Sequence, residues 1–355
     1  MTNKQLRVGL MGCGRIAHRH AELLGGGHIV GATLCAVCDV KPERTMSFSS
    51  KFGVASYTDA KRMILAEDLD VLVILTPSGM HADNVIGLSK YVKNIVVEKP
   101  MSLKTDDAEK MLEATKASGT KLFVVKQNRY NIPIIQARRA LDQGRFGKLI
   151  MGTIRVRWCR EQPYYDQDSW RGTWEFDGGV LANQASHHLD LLTWMMGDVL
   201  SVHAYSTKAL ANIEAEDTAV AVIKFKNGAL GTIEATTATR PKDLEGSLSI
   251  IGSEGSVEIS GFAVNRIRHW NFLKEKNIDK DIKTIFSENP PNVYGFGHKS
   301  YYENVVKSIN ENIMYAVDGE SGMKSLKLLH AIYHSIENGR EVFVCDQPTS
   351  QLLGK

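Results

Sequence analysis

Two short segments of this chain carry side chains that could transfer a proton. Lys99, within Glu98-Lys99-Pro100, is predicted to follow a buried strand, and His187 follows the pair Gly178-Gly179. A lysine partly removed from water loses its proton nearer neutral pH, and imidazole titrates in the same range. Either group could take the proton of a hydroxyl while a hydride leaves for a dinucleotide. Asn183 is predicted one helical turn before His187 on the same face, where its amide could orient the hydroxyl or the imidazole.

Structural roles compete with these chemical ones. An isolated lysine at a strand end is usually a surface residue, and a lone histidine is more often structural than catalytic. Asp190, one turn beyond His187, could hold the imidazole or equally form a salt bridge within its own domain. His188 is expected to point elsewhere, because adjacent side chains diverge on a helix. For the same reason His187, His188 and Asp190 do not fit a zinc site, and no metal is expected.

A dinucleotide-binding pattern lies near the N-terminus. Gly12-x-Gly14-x-x-Ala17 is preceded by a predicted strand and followed by a predicted helix, as a pyrophosphate-binding turn requires. Asp39 ends the second predicted strand, where a carboxylate would accept hydrogen bonds from ribose hydroxyls and repel a 2′-phosphate. The pattern therefore favours NAD over NADP, although Lys41 and Arg44 lie nearby. Asp39 could also be a turn-forming residue ahead of a helix.

The first 127 residues alternate between apolar strands and helices. This alternation predicts a doubly wound parallel sheet of the Rossmann type over residues 1–127. The strand end Thr76-Pro77-Ser78, with His81 close behind, should lie at the carboxyl edge of that sheet, where ligands bind. Ser78 could equally serve as a helix cap.

The pattern changes over residues 128–355. A helix is predicted at 132–143, a strand at 149–158 and a helix at 179–196, followed by several strands of period two with a hairpin signal at Asn227-Gly228. These features predict an α+β domain with an open, mainly antiparallel sheet that has helices on one face. The whole chain is thus expected to combine an α/β domain with an α+β domain.

Composition narrows the class of protein. The chain has 355 residues, 43% hydrophobic and 23% charged, which suits two packed domains. The net charge of +3 and the mixing of both signs give no basic stripe for nucleic acid. No signal-peptide core and no apolar run of about 18 residues is present, so no membrane role and a cytoplasmic location are expected. Cys35 and Cys38 have redox or zinc spacing but lie in a predicted buried strand, which favours structural thiols.

Taken together, these motifs resemble those of the glucose-fructose oxidoreductase, inositol dehydrogenase and rhizopine-catabolism (Gfo/Idh/MocA) family over nearly the whole chain. The resemblance implies NAD as cofactor, and Lys99 and His187 as acid/base groups that flank the nicotinamide. Family members usually have Asp where this chain has Asn183, and Gly where it has Ala185. The departure narrows the match to one branch of the family.

That branch oxidises carbon 3 of UDP-N-acetylglucosaminuronic acid (UDP-GlcNAcA), the step before transamination in the synthesis of diacetamido-uronic acid sugars. Residues 183–187, Asn-Gln-Ala-Ser-His, are similar to it. Six further blocks agree with the same branch, at residues 125–131, 164–166, 170–174, 213–218, 263–267 and 293–298.

The motifs and the resemblance together give the expected site residues. A UDP-uronate carries two phosphates and a carboxylate, which guanidinium groups bind bidentately, while aromatic rings could stack on sugar or uracil or simply belong to the core. The residues expected to bind substrate are Asn183, Arg129, Tyr165, Trp170, Arg171, Arg240, His298 and Tyr302. Those expected to bind the cofactor are Gly12, Gly14, Arg15, Ile16, Asp39, Thr76, Pro77, Ser78, His81, Glu98, Lys99 and Gln127.

Other functions stay open at this stage. Another sugar or inositol dehydrogenase of the same family is the nearest alternative, and a non-catalytic NAD-binding regulator is a more distant one. A regulator would have no use for both Lys99 and His187. Family members form dimers and tetramers, so the resemblance implies a homodimer or homotetramer.

Overall fold

The computed structural model describes residues 5–286, 295–315 and 317–355. Val293 and Tyr294, which belong to one of the matched sequence blocks, lie outside the described residues. The chain divides into two compact units, the first made of residues 1–125 and 298–323 and the second of residues 126–297 and 324–355. The first boundary lies within two residues of the predicted one. The predicted second domain, 128–355, is not one continuous unit, because residues 298–323 return to the first.

The first unit is built on a six-stranded parallel sheet, in the order β3-β2-β1-β4-β5-β6. The predicted doubly wound parallel sheet is confirmed, and its strand order reverses between β1 and β4. Its strands and helices are β1 (Leu6–Met11), α1 (Arg15–Gly25), β2 (Ala32–Cys38), α2 (Pro42–Phe52), β3 (Ala55–Tyr57), α3 (Ala60–Ala66), β4 (Val71–Ile74), α4 (His81–Leu88), β5 (Asn94–Val97), α5 (Thr105–Ser118) and β6 (Lys121–Val124).

The second unit contains an eight-stranded sheet in the order β13-β12-β11-β7-β10-β9-β8-β14. All neighbouring strands are antiparallel except β7 and β10, which run parallel. The elements from residue 126 onward are α6 (Ile132–Asp142), β7 (Leu149–Arg157), α7 (Gln162–Tyr165), α8 (Ser186–Met196), β8 (Val199–Thr207), β9 (Thr218–Phe225), β10 (Leu230–Thr236), β11 (Glu245–Gly252), β12 (Gly255–Ser260), β13 (Arg266–Phe272), α9 (Ile282–Ile285), α10 (Gly297–Glu311), α11 (Gly319–Asn338) and β14 (Val342–Phe343).

Helix α8 packs on one face of this sheet, against β7 and β11. Gly152 of β7 permits the close approach, since an added Cβ there would lie 2.6 Å from Cγ of Met196 and 3.0 Å from Leu192. The opposite face is more exposed, and β9 alternates buried and exposed side chains along its length. The position of α8, which carries His187, is therefore set by the sheet beneath it.

Helix α10 accounts for the return of the chain to the first unit. Val306 of α10 lies beside Gly31, and Lys121 Nζ donates to the carbonyl of Ser308. The amide of Val124 at the end of β6 donates to the carbonyl of Val317. These contacts join residues far apart in sequence, so no local pattern indicated them. Among the described residues, no helix combines the length and apolar character needed to cross a bilayer.

Candidate active site

The turn between β1 and α1 has the backbone form that a pyrophosphate requires. Gly12 has a φ of +98°, and a Cβ there would lie 2.7 Å from the carbonyl oxygen of Leu75. A Cβ on Gly14 would meet nothing within 4 Å, and Gly14 precedes α1 without a side-chain cap. Arg15 is exposed and Ile16 half-buried at the start of that helix. The amides of the first turn can thus face an anionic ligand.

Asp39 braces this turn from the end of β2. Its Oδ2 accepts a hydrogen bond from the amide of Cys13 at 2.8 Å, and its Oδ1 accepts one from the amide of Lys41 at 2.9 Å. A carboxylate offers about four acceptor sites, so capacity remains for ribose hydroxyls. The turn-forming role and the predicted cofactor role are therefore compatible.

His81 lies at the carboxyl edge of the parallel sheet, as the sequence predicts. Its ring is buried, with Nδ1 at 2.8 Å from the carbonyl of Pro100 and Nε2 at 2.9 Å from the carbonyl of Thr76. Burial lowers the pKa of His81 despite these hydrogen bonds. Both ring nitrogens are engaged with backbone, so His81 connects the segments that follow β4 and β5. Thr76 and Pro77 are half-buried at this edge, and buried Ser78 begins a turn of 3₁₀ helix.

Glu98 and Lys99 follow β5 at the carboxyl edge of the sheet. Lys99 is half-buried, and its amide donates to Glu98 Oε2 at 2.9 Å. Glu98 Oε1 lies 3.1 Å from Nε2 of His20. Burial alone would raise the pKa of Glu98, but the hydrogen bond and charge of His20, with His298 and Lys99, lower it to about 2. Glu98 is therefore a buried, ionised carboxylate directly beside Lys99.

His298 and Tyr302, which the sequence predicts to bind substrate, both contact His20 of α1. Both lie on α10, one turn apart, and both are buried within the first unit. Tyr302 Oη is 2.5 Å from His20 Nδ1, and the ring of His298 stands edge-on to that of His20. The sequence could not reveal this, because the two residues face α1 and not a loop.

In the second unit, His187 is the second residue of α8. Its Nε2 lies 2.9 Å from Nε2 of Gln127, so the Gln127 amide donates to the ring. Gln127 was expected to contact the cofactor, and its amide nitrogen here orients His187. His188 points into the core, fully buried and edge-on to Trp158, and burial lowers its pKa to about 4. The predicted divergence of the two histidines is confirmed.

The helix predicted from Gly179 begins only at Ser186. Asn183 therefore precedes α8 in a series of turns, and its Nδ2 donates to Oδ1 of Asp177 at 2.5 Å. Asp177 also accepts the amide of Gly172 at 2.8 Å. Asp177, which sequence reasoning did not single out, thus fixes the orientation of the Asn183 amide.

Glu216 explains the late start of the helix. Its backbone oxygen accepts the amide of Val180, and its Oε1 accepts the amide of Leu181 at 3.0 Å and the hydroxyl of Tyr333 at 2.9 Å. A Cβ on Gly179 would lie 2.2 Å from the Glu216 carboxyl, so glycine is required there. Burial raises the pKa of Glu216 to about 7. The only signal in the sequence was its place in the matched block at 213–218.

Asp190 does not hold the His187 ring. It accepts two hydrogen bonds of 2.7 Å from Arg129, and Lys126 Nζ lies 3.6 Å away. Burial would raise the pKa of Asp190, but the charges of Lys126 and Arg129 lower it. The salt-bridge alternative is confirmed. Arg129, expected to bind substrate, has two of its nitrogens committed to this buried pair.

The segment around residues 164–171 is a stack of aromatic and guanidinium groups. Arg171 lies over the rings of Trp170 and Tyr164, at 4.5 and 4.8 Å. Tyr165, expected to bind substrate, is buried, and its hydroxyl is 2.9 Å from Oγ1 of Thr237. Burial raises its pKa to about 12. Tyr165 therefore supports the segment, while Trp170 and Arg171 remain half-buried at its surface.

Two further arginines meet where the parallel strands β7 and β10 end. Arg160 pairs with Asp243 at 2.9 Å and lies over the Trp158 ring. Exposed Arg240 donates to backbone carbonyls, including that of Arg160. Asp243 offsets the charge of Arg160, so Arg240 is the guanidinium of this pair whose charge is available to a phosphate or carboxylate.

Two family models match most of the chain. The model described as "Oxidoreductase family, NAD-binding Rossmann fold" matches residues 6–126, and that described as "Oxidoreductase family, C-terminal alpha/beta domain" matches residues 138–344. Both are Gfo/Idh/MocA models. Myo-inositol 2-dehydrogenase of Thermotoga maritima is 28% identical, with 95% of this chain and 98% of that protein covered.

Two solved structures are more similar still. The WlbA dehydrogenase of Bordetella pertussis, in complex with NADH and UDP-GlcNAcA, is 39% identical, with a TM-score of 0.89 and coverage of 97% of this chain and 98% of that one. The WlbA dehydrogenase of Chromobacterium violaceum, with the same two ligands, is 41% identical, with a TM-score of 0.89 and 97% of each chain covered.

The raised pKa of Glu216 predicts a pH-dependent stability. A carboxyl whose pKa is raised on folding stabilises the fold at pH values below its pKa in the unfolded protein, near 4.5. This contribution is lost as the pH rises through the pKa in the folded protein, about 7. The free energy of unfolding of the wild type, measured with urea, should therefore fall by about 3 kcal/mol between pH 4.5 and 8 because of this group. Glu216→Gln should not show that fall. Glu214→Gln, at an exposed position two residues earlier, is the matched control. Equal pH dependence in Glu216→Gln and the wild type would contradict the assignment.

Proposed function

Because the chain belongs to the Gfo/Idh/MocA oxidoreductase family, we propose that it is an NAD-dependent dehydrogenase that oxidises the 3-hydroxyl group of UDP-GlcNAcA to the 3-keto sugar. The observation that carries the substrate assignment is the full-length similarity to two WlbA dehydrogenases whose structures hold NADH and UDP-GlcNAcA. The biosynthetic context is the formation of diacetamido-uronic acid sugars.

The residues of the first unit fit the cofactor. Gly14 leaves open space for a pyrophosphate at the start of α1, and a side chain at Gly12 would clash with the Leu75 backbone and displace the turn. Asp39 has acceptor capacity for ribose hydroxyls and a charge that disfavours a 2′-phosphate, which supports NAD over NADP. Bound NAD would supply the hydride acceptor.

The protein's own contribution is proton transfer and orientation. Lys99 and His187 act as a coupled acid/base pair that accepts the proton of the 3-hydroxyl, and Asn183, fixed by Asp177, orients that hydroxyl. Arg171, Arg240 and Trp170 favour a substrate with phosphates, a carboxylate and a flat base. The retention of both Lys99 and His187 supports an enzyme over a regulator.

The protein is further proposed to be a homodimer or homotetramer in the cytoplasm. Exposed apolar side chains cluster on the outer face of the second sheet, where Tyr205 pairs across strands with Val220, and Val222 lies two residues further along β9. Such a patch supports a subunit contact, and sedimentation velocity tests it.

All five cysteines are free thiols, which supports a reducing compartment.

The substrate assignment is tested by absorbance at 340 nm after purified protein and NAD are mixed with UDP-GlcNAcA. UDP-N-acetylglucosamine, which has a hydroxymethyl group in place of the carboxylate, and myo-inositol serve as parallel substrates. We expect an increase with the uronate alone, even if it stops after a single turnover. A signal from myo-inositol with none from UDP-GlcNAcA would favour the inositol dehydrogenase alternative.

Removal of the Lys99 amine should affect chemistry more than binding. Lys99→Ala should lower turnover by about 10² or more, because a positioned acid/base group is lost, and leave the dissociation constant for NADH nearly unchanged. Lys104→Ala, at an exposed position in the same connection, is the control. Wild-type turnover in Lys99→Ala would remove Lys99 from the mechanism.

The adjacent histidines provide an internal comparison. His187→Asn should lower turnover by about 10² or more. His188→Asn should instead lower the melting temperature, because its ring is packed in the core, while turnover per folded molecule stays much closer to that of the wild type. Equal losses of turnover per folded molecule would show that His187 has no special role.

A further inference from the structure

A continuous hydrogen-bonded network lies behind Lys99, entirely within the first unit. Tyr302 Oη is 2.5 Å from His20 Nδ1, and His20 Nε2 is 3.1 Å from Glu98 Oε1. The other carboxylate oxygen, Oε2, accepts the amide of Lys99 at 2.9 Å. His20, Tyr302 and Glu98 are 0%, 2% and 7% exposed, so water does not substitute for these bonds.

The carboxylate sets the direction of one of these bonds. Ionised Glu98 can only accept, so His20 donates to it from Nε2. At Nδ1, His20 meets the Tyr302 hydroxyl, which can either donate or accept. Burial, followed by the charge of Glu98, raises the pKa of Tyr302 well above its ordinary value, which keeps the hydroxyl protonated. His20 therefore connects the Tyr302 hydroxyl to the Glu98 carboxylate, whichever atom donates at Nδ1.

Three separate elements contribute to this network. Tyr302 lies on α10, His20 on α1 and Glu98 at the end of β5. Helix α1 is also the helix that begins at the glycine-rich turn. The network therefore joins the dinucleotide-binding helix, the strand end that carries Lys99, and the helix that returns late in the sequence.

We propose that Tyr302, His20 and Glu98 form a positioning relay for Lys99, which rests on the proposed acid/base role of that lysine. Glu98 holds the Lys99 backbone through one oxygen, and its negative charge favours the ammonium form of the side chain. His20 and Tyr302 fix the carboxylate in that position. The three residues are positioning residues, since they act through Lys99.

A metal centre is the competing interpretation of the same cluster. Ligand atoms of His20, Glu98 and His298 lie within 4.8 Å of one another. Both ring nitrogens of His20 already have hydrogen-bond partners, and a metal ion would have to displace one of them. The geometry therefore favours the relay.

The relay is tested on Lys99 itself, without substrate. Competitive acetylation at a series of pH values, followed by mass spectrometry of the Lys99 peptide, gives the pH at which this amine loses its proton. Glu98→Gln keeps the shape of the side chain and removes its charge, and it should lower that midpoint by about one pH unit. Tyr302→Phe should lower it by less, because the carboxylate keeps its charge but loses its fixed position. Tyr301→Phe, the same change at the neighbouring buried residue, should leave it unchanged.

Thermal unfolding first establishes that each variant is folded. If Tyr302→Phe does not fold, the Lys99 midpoint of Glu98→Gln alone decides whether the relay is correct. An unchanged Lys99 midpoint in Glu98→Gln would overturn the relay, even if the wild type oxidises UDP-GlcNAcA. A shifted midpoint in a protein that does not oxidise UDP-GlcNAcA would support the relay while the proposed substrate fails. In an active protein, Tyr302→Phe should lower kcat with little change in KM, because Lys99 is held less firmly. A rise in KM without a loss of kcat would instead support the substrate contact predicted from the sequence and would count against the relay.

Discussion

The buried charge of Glu98 is the constraint on which the first unit depends. A carboxylate removed from water is costly unless hydrogen bonds and opposite charge stabilise its ionised form. Here one oxygen holds the Lys99 backbone and the other meets His20, which in turn meets Tyr302. The return of α10 to the parallel sheet supplies that last partner. Stability and the placement of the proposed acid/base lysine thus have the same physical origin.

The second unit also buries carboxyl groups, and their partners differ from those of Glu98. Asp190 is buried against Arg129 and Lys126, which fixes α8 by charge, while Glu216 is stabilised by Tyr333 and the amides that precede α8. The first carboxyl has a lowered pKa and the second a raised one, because only the first has cationic neighbours. Glu216 sets where α8 begins and Asp190 holds the helix, and together they fix where His187 lies.

Much of the fold could be predicted from local pattern. The helix predicted at 132–143 and the strand predicted at 149–158 each end within one residue of α6 and β7, and Lys99 follows a strand end as expected. Patterns could not show that Tyr302 bonds His20 across 282 positions, or that Glu216 interrupts a helix predicted from Gly179. Nor could they show that Tyr165 bonds Thr237 or that His298 packs against His20. The role of a polar side chain depends on its burial and on partners far away in the sequence, and the spacing of residues along the chain does not reveal either.

The central claim is that hydride leaves carbon 3 of the sugar. The most direct measurement is mass spectrometry of the NADH formed from UDP-GlcNAcA deuterated at that carbon. We expect the deuterium to appear in the nicotinamide ring and NADH formation to be slower than with the unlabelled sugar. NADH that contains no deuterium, with the label retained at carbon 3, would contradict the proposed reaction.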